Sequence, residues 1–207
     1  MQGGVEFEDA YPSGGFPPSQ EEKDKWTAVG GNLTTNIPML VSGNKVYTQS
    51  SAVLRVAARM GKLMPTDENE VSQCDKLIAD AEDLRTSGYR AMPSFGASAE
   101  ATAAYISKVL PLHTSNFERM LGDNDWFVGS APTVADMTIF DVYEIQGLAF
   151  VPNCLENFPK MAAFIKRCNA LPKIAAYKSS EAYTGLMKFS AFPQWISIII
   201  IIIKYLS

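Results

Sequence analysis

Histidine and cysteine, which often bind metal ions or act in catalysis, are scarce in this 207-residue chain. His113 is the only histidine, and no recognised motif gives it a cysteine or acidic partner, which argues against metal and triad chemistry. Cys74, Cys154 and Cys168 share no metal-binding spacing. Because Cys74 and Cys168 fall on apolar helical faces, we predict that they pack in the core as reduced thiols.

An excess of positive charge is also absent, since 18 Lys and Arg residues stand against 22 Asp and Glu residues. Proteins that bind duplex nucleic acid need a basic surface to neutralise phosphates, so this composition argues against that class. The first residues have neither a basic head nor an apolar stretch, so we predict no signal peptide and a cytoplasmic location. With 47% hydrophobic residues, the composition fits a soluble two-domain chain.

The most informative segment runs from residue 37 to 61 and predicts two antiparallel strands followed by a helix. Gly43-Asn44 separates two alternating apolar runs, which is a hairpin signal. Gln49 and Ser50 follow the second run and are predicted to cap the helix. The helix has apolar residues at three- and four-residue spacing and ends at Gly61. These apolar residues are Val53, Val56, Ala57 and Met60.

This strand–helix junction has the chemistry of a carboxylate-binding site. A helix start offers unpaired N–H groups and a partial positive charge, and the Gln49 amide and Ser50 hydroxyl lie beside it. Pro38 cannot donate to a sheet ladder, and a cis bond there would turn the Ile37 backbone outward to pair with a ligand's main chain. Taken singly, such residues are more often an ordinary cap and strand edge.

A second signal lies in residues 126–141, where Thr133 and Asp136 have the spacing of a capping box ahead of an apolar helix. We predict that its role is structural rather than catalytic.

Beyond Pro65, three apolar stripes predict a helix bundle over residues 66–183. The stripes are Val71, Cys74, Leu77, Ile78, Ala81 and Leu84; Ala101, Ala104, Tyr105, Lys108, Val109 and Leu112; and Met161, Phe164, Ile165, Cys168 and Leu171.

Together these features resemble the glutathione transferases. In that family a thioredoxin-like domain, with a cis-proline strand, a hairpin and Gln/Glu-Ser at a helix start, precedes an all-helical domain with a capping box. The matching positions here are Asn36-Ile37-Pro38, Gln49-Ser50, and Thr133 with Asp136. The resemblance covers about residues 3 to 183.

The resemblance implies an α/β plus all-α fold. A truncated thioredoxin-like glutathione-binding domain is expected at residues 1–65, and an all-helical glutathione-transferase C-terminal bundle at residues 66–183. Residues 184–207 form an atypical hydrophobic tail. Trp26 and the Asp83-Leu84-Arg85 triplet are similar to the sigma-like group of the family.

The resemblance also implies a glutathione site at the junction. The Ile37 backbone, beside Pro38, would pair with the cysteinyl main chain of glutathione, as in β-augmentation. Gln49 and Ser50 would hold the γ-glutamyl carboxylate. Trp26 would reach the glycyl end, or would instead be a packing anchor after an acidic–basic loop.

The remaining implied contacts include two departures from the family. Asn36 replaces the more usual Gln, and Gly30 stands where the family has a basic residue for the glycyl end. Asp83 would reach a ligand amine in a neighbouring subunit, implying a homodimer, or would instead belong to a solvated acidic helix face. Tyr89 and Tyr105 would line the pocket for the electrophile, or would instead pack in the core. No metal is implied.

The family's first strand and first helix, with the Tyr, Ser or Cys that activates the thiol, have no counterpart ahead of the alternating run 4–10. A free thiol of pKa about 8.5 is only a few per cent ionised at pH 7, so full ionisation adds at most about 30-fold in thiolate. The resemblance implies conjugation of glutathione to electrophilic small molecules by the intact form. The alternative is a non-catalytic glutathione-binding or protein-interaction module without the activating residue.

The last residues carry six consecutive isoleucines, at 198–203, that have no parallel in the family. They are too few for a membrane-spanning helix and have a strand and aggregation signature. Three interpretations are open: an artefact of a misassigned reading frame or missed splice site, a membrane-associating tail, and a strand that docks into the vacant central slot left by the family's first strand. The first is favoured, and membrane association is not expected.

Overall fold

The computed structural model describes Val5, residues 19–30, 38–144 and 150–180, and Lys204–Tyr205. These residues divide into two compact units, and the chain passes from one to the other between Lys62 and Leu63. The first unit holds the described residues up to Lys62 together with Lys204–Tyr205. The predicted domain boundary after residue 65 lies close to this division and stays a prediction.

The first unit contains helix α1 (Gln20–Gly30), strands β1 (Met39–Ser42) and β2 (Lys45–Thr48), and helix α2 (Ser50–Met60). The strands pair antiparallel, with Met39 opposite Thr48 and Ser42 opposite Lys45, so the predicted hairpin is confirmed. Gly43 has a φ of 58° in the two-residue turn, a conformation that glycine adopts without steric cost.

Helix α1 corrects the expectation of a loop before Trp26. Ser19 and Glu22 form a reciprocal capping box, because the Ser19 amide donates to the Glu22 carboxylate and the Glu22 amide donates to the Ser19 hydroxyl, each at 3.2 Å. One turn later, Lys25 forms an ion pair with Glu21 at 2.8 Å. The Ser-x-x-Glu pattern was therefore a helix-start signal that the sequence analysis missed.

The small core of the first unit lies between the hairpin and α2. Leu40 on β1 and Val53 on α2 are buried at its centre. Partly buried side chains surround this pair; they are Tyr47, Val56, Ala57 and Met60. The predicted apolar face of α2 is thus the face that packs on the sheet.

A third strand, β3 (Lys204–Tyr205), pairs parallel with β1, so the strand order is β2-β1-β3. β3 lies at an edge of the described sheet, so the interpretation of the tail as a strand in a central position stays a prediction. The isoleucine run itself lies outside the described residues, so the origin of the tail stays open.

The second unit is helical and confirms the predicted fold class. Its α-helices are α3 (Glu68–Ala91), α4 (Ala99–Ala104), α5 (Leu110–Leu121), α6 (Val134–Val142), α7 (Pro159–Asn169) and α8 (Pro172–Lys178). A short 3-10 turn (Pro93–Phe95) follows α3, and a π-helical segment (Tyr105–Val109) joins α4 to α5. Across the part of the chain that the structure describes, no helix is long and apolar enough to cross a membrane.

Two of the three predicted stripes match buried helical faces. On α3, the buried set includes Cys74, Leu77, Ile78, Ala81 and Leu84, while Val71 is only partly buried. On α7, the buried set is Met161, Phe164, Ile165 and Cys168, and Leu171 beyond the helix is partly buried. The prediction that Cys74 and Cys168 pack in the core is confirmed.

The stripe predicted along 101–112 is largely wrong, because the helix is not α-helical throughout. Its buried face contains Tyr105, Leu110, Thr114, Phe117 and Leu121, while other predicted members are exposed. The exposed members are Ala101, Ala104, Lys108 and Leu112. The π turn accommodates an extra residue, so the inward position after Tyr105 is Leu110 and not residue 108 or 109. The π segment ends two residues before Pro111, which cannot donate a helical hydrogen bond.

Candidate functional site

The strand–helix junction of the first unit contains a strained residue. Gln49 has φ 73° and ψ 119°, and within the described chain Lys62 is the only other non-glycine residue with positive φ. A residue with a side chain rarely adopts this conformation, which costs on the order of 1–3 kcal/mol and is typical of ligand-binding sites. The Gln49 carbonyl accepts the first helical bonds, from the Ala52 amide at 3.0 Å and the Val53 amide at 2.9 Å.

The predicted capping role of Gln49 and Ser50 is only partly correct. Gln49 occupies the N-cap position, but no side chain makes a capping hydrogen bond, and Ser50 is the first residue of α2. The side chains of Gln49, Ser50 and Ser51 are exposed. The start of α2 therefore presents an amide and hydroxyl groups to solvent beside its positive dipole end, an arrangement that suits a carboxylate.

The other site residues predicted in the first unit lie around the hairpin. Pro38 is half-buried and stands directly before β1, outside the hydrogen-bonded ladder. Trp26 is half-buried on α1, a helix that packs against β2. Asn36 and Ile37 lie outside the described residues, so their predicted contacts stay predictions.

In the second unit, Asp83 lies on α3 with an exposed side chain. Its acidic neighbours form ion pairs, Asp80 with Lys76 and Glu82 with Arg85. In the described part of the chain, Asp83 itself forms none. The predicted contact of Asp83 with a ligand amine stays a prediction.

The two tyrosines predicted for the electrophile pocket differ in environment. Tyr89 is half-buried and packs edge-on against Phe95, with ring centroids 5.4 Å apart. Tyr105 is only 2% exposed and stacks on Phe150 at 5.9 Å. Burial of Tyr105 favours the alternative of core packing, whereas Tyr89 stays a candidate for the pocket.

The capping box at Thr133 and Asp136 is confirmed at the start of α6. One Asp136 oxygen accepts from the Thr133 amide at 2.8 Å and from its hydroxyl at 2.7 Å. The other accepts from the Phe127 amide at 2.9 Å. Asp136 is fully buried, and burial raises its pKa against the effect of these bonds. The box joins the 127–133 loop to the core helix, a structural role.

Burial also determines the protonation state of the cysteine thiols. It raises the pKa of Cys154 to about 11 and that of Cys168 to about 12. The pKa of Cys74 is raised by burial too. All three thiols are therefore protonated at neutral pH, which makes them poor nucleophiles. Among the residues that the structure describes, no cluster of His, Cys, Asp and Glu is placed to hold a metal ion.

Comparison with known proteins identifies the family. Residues 82–181 match the family described as glutathione S-transferase, C-terminal domain. The chain is 30% identical over 191 residues to human glutathione S-transferase Mu 3, covering 91% of this chain and 83% of that protein. It is 33% identical over 160 residues to a glutathione S-transferase of Mesocricetus auratus, covering 77% and 72%.

A solved structure agrees in fold. The Pi-class glutathione S-transferase of Onchocerca volvulus aligns with a TM-score of 0.60 and 24% identity, over 69% of each chain. The match to the human Mu 3 protein extends over both units, whereas the family match lies within the helical one. We conclude that this chain belongs to the glutathione S-transferase family.

Proposed function

We propose that this protein binds glutathione at the start of α2 and, in its intact form, conjugates the glutathione thiol to electrophilic small molecules. The observation that carries the proposal is the strained Gln49, whose amide stands exposed at the positive end of a helix. The names of its relatives support the same substrate.

Binding uses groups that suit a peptide with two carboxylates. The Gln49 amide, the Ser50 hydroxyl and the first amides of α2 hold the γ-glutamyl carboxylate. The Ile37 main chain, set by Pro38, pairs with the cysteinyl residue of glutathione. Trp26 contacts the glycyl end, together with Asn36.

Tyr89 is the proposed electrophile-facing residue, because it is half-buried whereas Tyr105 is almost fully enclosed. Asp83 reaches the ligand amine in the neighbouring subunit of a homodimer, and its exposed carboxylate supports this role. Trp26 and the Asp83-Leu84-Arg85 triplet favour the sigma-like class, whereas the similar proteins named above are a Mu-class, a Pi-class and an unclassified transferase. The protein acts in the cytoplasm.

The chemical step is attack of the glutathione thiolate on an electrophilic carbon, with loss of a leaving group and release of the thiol proton. The site residues proposed here bind and orient glutathione by hydrogen bonds and do not include a base. The thiol therefore reacts through its small ionised fraction, a few per cent at pH 7, unless a further group activates it.

The test is conjugation of glutathione to a chloronitrobenzene by the purified full chain, with glutathione affinity measured in parallel. We expect Gln49→Ala combined with Ser50→Ala to abolish binding and turnover. Gln73→Ala combined with Ser115→Ala, a matched pair at exposed positions of α3 and α5, should change neither.

Two results would redirect the proposal. Glutathione binding without turnover would support the alternative, a non-catalytic glutathione-binding or protein-interaction module, which the absence of a base among the site residues favours. Folded protein with neither binding nor turnover would contradict both functions.

A further inference from the structure

The hydroxyl of Tyr105 is the only buried side-chain nitrogen or oxygen in the described part of the chain that has no hydrogen-bond partner. Its side chain is almost fully enclosed in the helical unit. A buried hydroxyl without a partner weakens folding by a factor of about 5 to 30, so native proteins pair such groups with protein atoms or ordered water.

The phenol of Tyr143 interacts electrostatically with that of Tyr105 but does not hydrogen-bond to it. The Tyr143 hydroxyl donates to the Thr114 hydroxyl at 2.8 Å, and Thr114 donates to the Leu110 carbonyl at 2.8 Å. Both donors are therefore committed. The Tyr143 oxygen keeps an acceptor lone pair.

Cys154 belongs to the loop that begins at Phe150, whose ring stacks on Tyr105 with ring centroids 5.9 Å apart. Its thiol interacts electrostatically with the phenols of both Tyr105 and Tyr143, and it is half-buried. Burial raises the pKa of both phenols and of the thiol, so the three groups are neutral at pH 7. A neutral molecule that donates and accepts hydrogen bonds suits this set better than an ion.

The backbone is also unusual here. Tyr105 begins a π-helical segment, and the backbone also has π-helical geometry at Tyr143 and Glu144. π turns are rare and often occur where a helix adapts to a bound group. π-helical geometry thus occurs at both tyrosines of this neighbourhood.

We infer that an internal water molecule is bound at the Tyr105 hydroxyl and is shared with the Cys154 thiol. A buried water needs two to four polar partners, and Tyr105, Cys154 and the Tyr143 oxygen supply three. The site is independent of the glutathione site proposed above. It joins the π segment before α5 to the loop before α7.

The sign of the Tyr105→Phe effect tests the inference. Loss of a hydroxyl bonded to water should lower the folding equilibrium constant by about fivefold in urea unfolding of the full chain. Tyr47→Phe, at a half-buried tyrosine in the other unit, is the control and should have a smaller effect. A Tyr105→Phe variant as stable as the parent, or more stable, would overturn the inference.

Two further measurements test the shared partner. Tyr105→Phe and Cys154→Ala should be non-additive, since either change leaves the same water underbonded. Additive effects would overturn the role of Cys154. A high-resolution crystal structure should show a water within hydrogen-bond distance of the Tyr105 oxygen that is lost in Tyr105→Phe. Any other molecule at that position, or none, would overturn the inference.

Discussion

At the scale of single residues, Gln49 shows how binding and stability compete. Its φ of 73° and ψ of 119° lower the folding free energy gain, and no capping hydrogen bond of the side chain offsets this cost. The neighbouring Ser50 is likewise exposed. Strain that persists without a local structural benefit is expected where a ligand uses the conformation.

Replacing Gln49 by glycine should therefore stabilise the protein while weakening glutathione binding. Glycine relieves the strain at a cost of about 0.5–1 kcal/mol in backbone entropy, so we expect a net gain of about 1 kcal/mol in unfolding free energy. Loss of the amide should weaken glutathione binding by roughly 10- to 100-fold, as for a hydrogen bond to a charged group.

The control is Gln49→Ala, which removes the amide but keeps the strain. It should bind glutathione as weakly as Gln49→Gly without the gain in stability. Urea unfolding and isothermal titration calorimetry measure the two effects. A glycine variant that binds glutathione like the parent would contradict the proposed contact.

At the scale of secondary-structure elements, an ion pair joins α3 to α6. Arg85 donates to Asp141 at 2.9 Å and to Glu82 at 3.1 Å. Burial opposes the charge on Arg85, but Asp141 and Glu82 together raise its pKa. Burial also raises the pKa of Asp141, against the effect of Arg85. The charged forms of Arg85 on α3 and Asp141 on α6 therefore stabilise each other.

We expect Arg85→Met to destabilise the protein by about 1–3 kcal/mol at neutral pH, because it leaves the half-buried Asp141 without its counter-charge. A carboxyl group whose pKa is higher in the folded than in the unfolded state stabilises the folded state fully at pH values below its unfolded pKa. This contribution is lost as the pH rises through the folded pKa. The penalty should therefore shrink as pH falls and Asp141 becomes protonated.

Urea unfolding of the parent and Arg85→Met across a pH series measures this difference. Arg90→Met, at an exposed position of the same helix, should cost far less at every pH. A penalty for Arg85→Met that does not vary with pH would argue that lost packing of the arginine stem, and not the charge on Asp141, causes it.

At the scale of the whole molecule, the two units are stabilised by different kinds of side-chain packing. The first has a small core around Leu40 and Val53 on a short sheet. The second has a cluster of aromatic side chains, in which Phe127 packs edge-on against Phe117 at 6.0 Å and Phe164 at 5.1 Å. Arg167 lies over the Trp126 ring at 5.8 Å and pairs with Asp125.

The tail should control the solubility of the whole chain. Six isoleucines extend only about 9 Å as a helix, far short of the roughly 30 Å of a bilayer core, and they have the composition of an aggregating strand. We expect the full chain to sediment in a concentration-dependent way and deletion of residues 190–207 to suppress this. Added lipid vesicles should change neither result. Tail-dependent sedimentation only with vesicles would instead support membrane attachment.

Much of the fold followed from local signals. The Gly43-Asn44 turn, the α2 face and the Thr133–Asp136 box each depend on residues close in the chain, so their spacing was sufficient to predict them. The Ser19–Glu22 box was equally local and was overlooked. The stripe along 101–112 failed because a π turn changes the helical period, and apolar spacing alone does not reveal it.

By itself, the sequence determined the order of elements, the family resemblance and the position of the candidate glutathione site, because turn chemistry, capping and helical periodicity act over a few residues. The tertiary structure decided which groups lost contact with water. It paired Arg85 with Asp141 across 56 positions of the chain, enclosed Tyr105 without a partner and left Gln49 strained and exposed. Desolvation and long-range pairing depend on how the elements pack, so no short stretch of sequence specifies them.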